Sequence, residues 1–152
     1  MIALKEWAII CKALEDGKQM LLLRKGGIME YRKGFEVKHN EFLLYPTFEH
    51  QSIESIKAEY KEKIKEISEE HNISYYNNNR KKIDKNDNNI NTASNNIVKL
   101  LAKVEDVIEI SDKFTLSELR DYHIWSDEYV TMRMNYNPSK PMNVLLLRIY
   151  KI

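Results

Sequence analysis

The chain has 152 residues, enough for one domain with a substantial core, and its 43% hydrophobic and 31% charged content is ordinary for a globular protein. A formal net charge of +1 excludes a global field drawing it to nucleic acid or an acidic membrane, so any such binding needs a local patch. Its one cysteine, Cys11, excludes an intrachain disulfide and a cysteine-based zinc site, and fits a reducing compartment.

The N-terminal stretch "MIALKEWAIICKAL" carries Lys5, Glu6 and Lys12, with no long apolar region and no cleavage signature. No run approaches the ~18 apolar residues of a spanning helix, and the expectation is a soluble, cytoplasmic protein with no membrane association. Cys11, inside "AIICKAL", reads as a small core residue rather than a nucleophile.

Two readings compete over "WAIICKALEDGKQMLLLRKGG". Leu4, Trp7, Ala8, Cys11 and Leu14 have helical spacing, yet two short apolar runs flank Asp16-Gly17, a strong hairpin signal. The hairpin reading predicts paired strands at 7–14 and 18–24, with Ala3–Glu6 as a helical turn. "FEVKHNEFLLY" (35–45) alternates like a strand, interrupted near His39-Asn40 and closed by Pro46, which cannot donate to a ladder.

Next, Ile53, Ile56, Tyr60, Ile64 and Ile67 repeat at three and four residues, predicting one long amphipathic helix over 52–70. Residues 72–96 then hold ten asparagines, which favour local side-chain bonds over helix or strand interiors. They predict a loop or disordered insertion within a single domain spanning 1–152. Its Arg80, Lys81, Lys82 and Lys85 could form a basic arm, although compositional drift in an unconstrained loop explains them as well.

Order returns with a long strand over 97–111, bulged near Asp106. Thr115 with Glu118 forms a capping-box pattern for a short helix. Ser126 offers a second cap, and "MNVLLLRIYKI" supplies a strongly apolar final strand. There is no regular βαβα alternation and no Gly-rich phosphate loop after a strand. The predicted class is α+β: a mostly antiparallel, partly closed sheet, comparable by strand count to PUA-like barrels, with one long amphipathic helix and short helices.

Three polar segments lie at predicted strand ends, where binding groups accumulate. In the first, Arg24 and Lys25 precede Gly26 and Gly27, joining a planar donor fork to a backbone that a ligand can approach. In the second, Tyr45, Pro46 and Thr47 lead into Glu49, His50 and Gln51. Thr47 can cap the following helix, whose first turn attracts anions, although a surface capping turn accounts for the same residues. The third places His123 beside Trp125, followed by Arg133: an indole can stack on a base and an arginine can pair a phosphate. Buried tryptophan and hydrogen-bonded histidine are the simpler alternative.

His39, His50, His71 and His123 lack tight spacing, so no metal site is predicted, and no cofactor motif is present. Asp16 with Glu36 and Lys38 faintly suits magnesium-dependent nucleases, but Glu-x-Lys tripeptides are common in a chain this rich in both residues. No Ser-His-Asp, Cys-His or Gly-x-Ser-x-Gly arrangement is present.

"ALKEWAIICKALEDGKQMLLLRKGGI", "FLLYPTFEHQ" and "HIWSDEYVTMRMNYNPSKPMNVLLLRIY" together resemble an uncharacterised prokaryotic family, domain of unknown function 1802. The likeness runs over nearly the whole chain except the Asn-rich insertion. It implies an association with restriction-modification systems and brings no catalytic residue with it. The positions that match its signature are Arg24, Lys25, Gly26, Gly27, Tyr45, Pro46, Thr47, Glu49, His50, Gln51, His123, Trp125 and Arg133.

The functional expectation is a module binding nucleic acid or a nucleotide. Arg24, Lys25 and Arg133 would contact phosphate, Tyr45 or Trp125 would stack, and His50 and Gln51 would read polar edges. The alternatives are a phosphodiesterase using Glu49 and His50, or Asp16, Glu36, Lys38 and magnesium, and a protein-interaction subunit presenting the 52–70 helix.

Overall fold

The computed structural model describes residues 2–25, 40–48, 52–70, 75–76, 82–83 and 97–152. Five strands form one mixed sheet in the order β1-β3-β6-β7-β2, and a two-residue pair, β4 (Tyr75–Tyr76) with β5 (Lys82–Ile83), stands apart within the Asn-rich region. β1 (Ile2–Trp7) runs parallel to β3 (Glu41–Thr47); the other pairings, with β2 (Leu21–Lys25), β6 (Leu100–Ile110) and β7 (Met142–Lys151), are antiparallel. The α+β class holds. The sheet, however, is open, with β1 and β2 at its edges, rather than a partly closed barrel.

A bulge between Val104 and Asp106 divides the long β6–β7 pair. β3 pairs with residues 100–103, before the bulge. β2 pairs with residues 142–146 of β7, which lie opposite the part of β6 beyond it. The two halves of the sheet therefore carry different edge strands.

Helix α1 (Ala8–Glu15) follows β1 without a linker and packs against β1, β3 and β7. Ala8, Ile9, Ile10, Cys11, Ala13 and Leu14 are all buried, as expected of a helix that is apolar nearly all round. Of the two strands expected here, residues 8–14 of the first are helix and the second survives as β2, while the turn placed at Ala3–Glu6 is strand. Asp16-Gly17 ends the helix instead of turning a hairpin. Gly17 has φ +76°, its N–H donates to Leu14 O at 3.3 Å, and the Lys18 N–H donates to Ala13 O at 2.9 Å. This is the doubly bonded glycine C-cap, which demands the same positive φ as a hairpin turn.

The long helix expected over 52–70 is also divided. Two 3-10 turns, Ile53–Ser55 and Ala58–Tyr60, precede α2 (Lys61–Glu70), which has ten residues. Between the turns the backbone pairs with a distant segment. Ile56 forms a bridge with Trp125, the Lys57 N–H donates to Ile124 O at 2.8 Å, and the Ser126 N–H donates to Ser55 O at 2.8 Å. Those tertiary bonds replace the helical ladder, while Ile53, Ile56, Ile64 and Ile67 still reach the core.

The connection from β6 to β7 carries α3 (Lys113–Ser117) and α4 (Asp127–Asn135). Ser126 caps α4 by accepting the Tyr129 N–H at 3.2 Å. For α3 the cap is Asp112, which accepts the Thr115 N–H at 2.7 Å, so Thr115 is a partner of the cap rather than the cap. These bonds, with one from the Thr115 hydroxyl, hold the Asp112 carboxyl below its ordinary value. Among the described residues, no helix is long and apolar enough to cross a membrane.

Candidate functional site

The two sheet edges meet at Glu6, near the end of β1. Its carboxylate accepts the Arg24 guanidinium from β2 at 2.9 Å and its own chain's Trp7 N–H at 3.0 Å. The Thr47 hydroxyl, at the end of β3, donates to the Glu6 backbone carbonyl at 3.2 Å. The Glu6 and Arg24 side chains are 9% and 18% exposed, so water screens the ion pair little.

Beside this pair runs an aromatic row. Trp7 lies 5.5 Å from Tyr129 between ring centroids, Tyr129 stacks on Trp125 at 5.8 Å, and Trp125 lies 5.4 Å from His123. Burial pushes the Tyr129 phenol up, opposed by Arg133 and Arg24 and aided by Glu6, which places all three charges near the row. Trp125 and His123 are buried, and the Trp125 indole N–H has no hydrogen-bond partner among the described residues. The His123 Nδ1 accepts the Trp125 N–H at 3.2 Å. Burial chiefly, together with Lys57 and Arg120 and against the opposing Asp127, lowers the His123 pKa from 6.5 to about 4, so the ring is neutral at pH 7.

The three polar segments are thus partly gathered. Arg24 and Thr47 bind Glu6, while His123 and Trp125 connect to the same region through Tyr129. The remaining cations are engaged nearby: the Lys25 ammonium donates to Met134 O, near the end of α4, at 2.8 Å, and the Arg133 guanidinium lies 6.0 Å from the Tyr136 ring centroid. Tyr45 is half-buried on β3, opposite Lys5. Gly26, Gly27, Glu49, His50 and Gln51 lie outside the described residues, as do Glu36 and Lys38. The gathered side chains make a frame locked by its own contacts.

The open space lies elsewhere. A groove of about 770 Å³ runs between α1, α2, the end of β3 and the start of β6. Leu44, Pro46, Phe48, Ile67 and Leu100 line it with apolar surface, and the buried Cys11 joins them from α1. Burial pushes the Cys11 thiol far up, as does the Glu6 carboxylate, so it stays protonated and unreactive there. Lys12, Lys63 and Lys99 stand around the groove beside Glu15 and Glu66. Lys12 pairs with Glu15 at 3.7 Å and Asp16 at 3.4 Å, and Lys63 with Glu66 at 3.4 Å. Such exposed pairs within one helix are worth only a few tenths of a kcal/mol, so an incoming anion can displace them.

Sequence reasoning found Pro46 but not the lysines, which come from α1, α2 and the residue before β6 with no motif in common. It also missed Glu6, whose one signal was a carboxylate set directly before a long apolar run. Among the described residues, no three or more His, Cys, Asp or Glu side chains are grouped to hold a metal.

A family model described as domain of unknown function DUF1802 matches residues 3–152. The chain belongs to that family. Comparison with curated proteins and with solved structures finds no match. The DUF1802 match includes the Asn-rich region 72–96, so the family's extent is wider than the quoted stretches alone.

Proposed function

We propose that this DUF1802 chain is a binding module for a nucleotide, free or within a short single strand, and that the groove beside α1 receives it. One observation carries the reading: an apolar trough of about 770 Å³ is bordered by lysines from α1, α2 and the approach to β6. That volume falls in the ~300–1,000 Å³ range of small-molecule sites. Phe48, Pro46 and Ile97 offer apolar walls for the face of a base, and Lys12, Lys63 and Lys99 offer charge for its phosphate. The balanced net charge suits this division, because affinity then comes from the fitted base rather than from an extended basic field.

The reading moves the contact surface away from Arg24, Trp125 and His123, whose present partners hold the fold together. Isothermal titration with nucleoside mono- and triphosphates, and with short mixed-sequence single-stranded DNA and RNA, tests it. Saturable binding is expected, weakened roughly fivefold each by Lys12→Ala and Lys99→Ala. Lys140→Ala, on an exposed turn, should leave it unchanged. No saturable binding by any of these ligands, or binding indifferent to the groove variants, overturns the proposal.

A further inference from the structure

A second, smaller cavity of about 130 Å³ lies where α3, the turn at 120–122 and α4 meet over His123. It shares no lining residue with the groove beside α1. Its volume far exceeds the ~10–15 Å³ that one water needs. Leu116, Val130 and Met134 form an apolar wall, while Lys113, Arg120 and Asp127 supply charge. Those three sum to one net positive charge, and the Arg120 Nε donates to Asp127 at 2.9 Å.

His123 gives this cavity chemical direction. The residue is 3% exposed, yet it lines the space. Because Nδ1 accepts the Trp125 backbone N–H, the proton of the neutral ring sits on Nε2. A ring N–H donor beside an apolar wall and a net positive rim matches a ligand with a short hydrocarbon end and a single negative charge.

We propose that the His123 cavity binds a short aliphatic carboxylate: the carboxylate accepts the Nε2 hydrogen and faces Arg120 and Lys113, and the alkyl chain lies on Leu116, Val130 and Met134. The charged groups around the ring are then Lys57, Lys113, Arg120, Asp127 and the ligand itself.

Nuclear magnetic resonance of the protein with ¹⁵N-labelled histidine tests this directly. Acetate, propionate, butyrate and inorganic phosphate are titrated at pH 7, with chloride matching the ionic strength. Propionate or butyrate should shift the His123 ring resonances saturably, acetate more weakly, and the His123 titration midpoint should rise when ligand is bound. Arg120→Ala, an exposed substitution, should weaken the effect at least fivefold without unfolding the chain. His123→Gln should remove binding seen by calorimetry. The proposal falls if the carboxylates do no more than chloride, if phosphate binds as well as butyrate, or if Arg120→Ala changes nothing. None of these outcomes bears on nucleotide binding in the larger groove.

Discussion

Replacing Arg24 by methionine leaves the Glu6 carboxylate within the protein without its counter-ion. The two side chains are 9% and 18% exposed and meet at 2.9 Å, joining the edges of a sheet that is otherwise open. Removing one partner of a buried pair costs roughly 3–5 kcal/mol, because the remaining charge keeps its desolvation penalty. The partial exposure of Arg24 points to the lower end, about 3 kcal/mol, or a fall in melting temperature of roughly 6–12 °C for a chain of this length. Urea denaturation is the suitable assay, since guanidinium would screen the pair. Arg24→Met should lower the midpoint sharply at an unchanged slope. Glu6→Gln with Arg24→Met should recover much of the loss, giving a coupling energy of at least ~1.5 kcal/mol. If Arg24→Met stays within ~0.5 kcal/mol of the parent, or if the two losses simply add, the clamp is not what joins the sheet edges.

Two further effects follow from the same framework. The native His123 has a pKa near 4 against 6.5 when exposed, so between those values the unfolded chain binds more protons. Stability should therefore be complete above pH 6.5 and fall as pH drops toward 4, by up to about 1.4 kcal/mol per unit. Urea titrations between pH 5 and 6.5 should show this slope in the parent and its loss in His123→Gln; equal slopes contradict it. At Gly17, φ is +76° and an added Cβ would meet nothing within 4 Å, so Gly17→Ala tests backbone strain alone. It should cost about 1–2 kcal/mol, and Gly17→Asn less, in thermal denaturation; identical stabilities would contradict the left-handed cap.

Burial was more legible in the sequence than backbone conformation. Ile53, Ile56, Ile64 and Ile67 were identifiable as core from their spacing alone. That Ile56 would bridge Trp125 instead of continuing a helix depends on a segment some seventy residues away, which no local pattern encodes. Asp16-Gly17 announced positive φ, but a hairpin and a helix C-cap share that requirement, and burial of nearly every α1 residue decides between them. Two local signals held, Ser126 capping α4 and the bulge between Val104 and Asp106, and two did not: Asp112 rather than Thr115 caps α3, and β3 runs through Pro46 to Thr47 instead of closing at the proline.

The polar segments show the same division. Arg24, Thr47, His123 and Trp125 were visible as chemistry-bearing residues, but their partners came from Glu6, Trp7 and Tyr129. A solvent-facing arginine and one locked to a buried carboxylate have the same letter. The groove was harder to see, because Lys12, Lys63 and Lys99 become neighbours only after α1 and α2 pack together.

Chemical-shift mapping of a bound nucleotide most directly tests where recognition occurs. On titration with a nucleoside triphosphate, the largest changes should cluster at Lys12, Phe48, Lys63, Ile97 and Lys99, with those around Trp125 small. Changes centred instead on Arg24, Trp125 and Arg133, or scattered over the surface without saturation, would contradict the assignment of the groove.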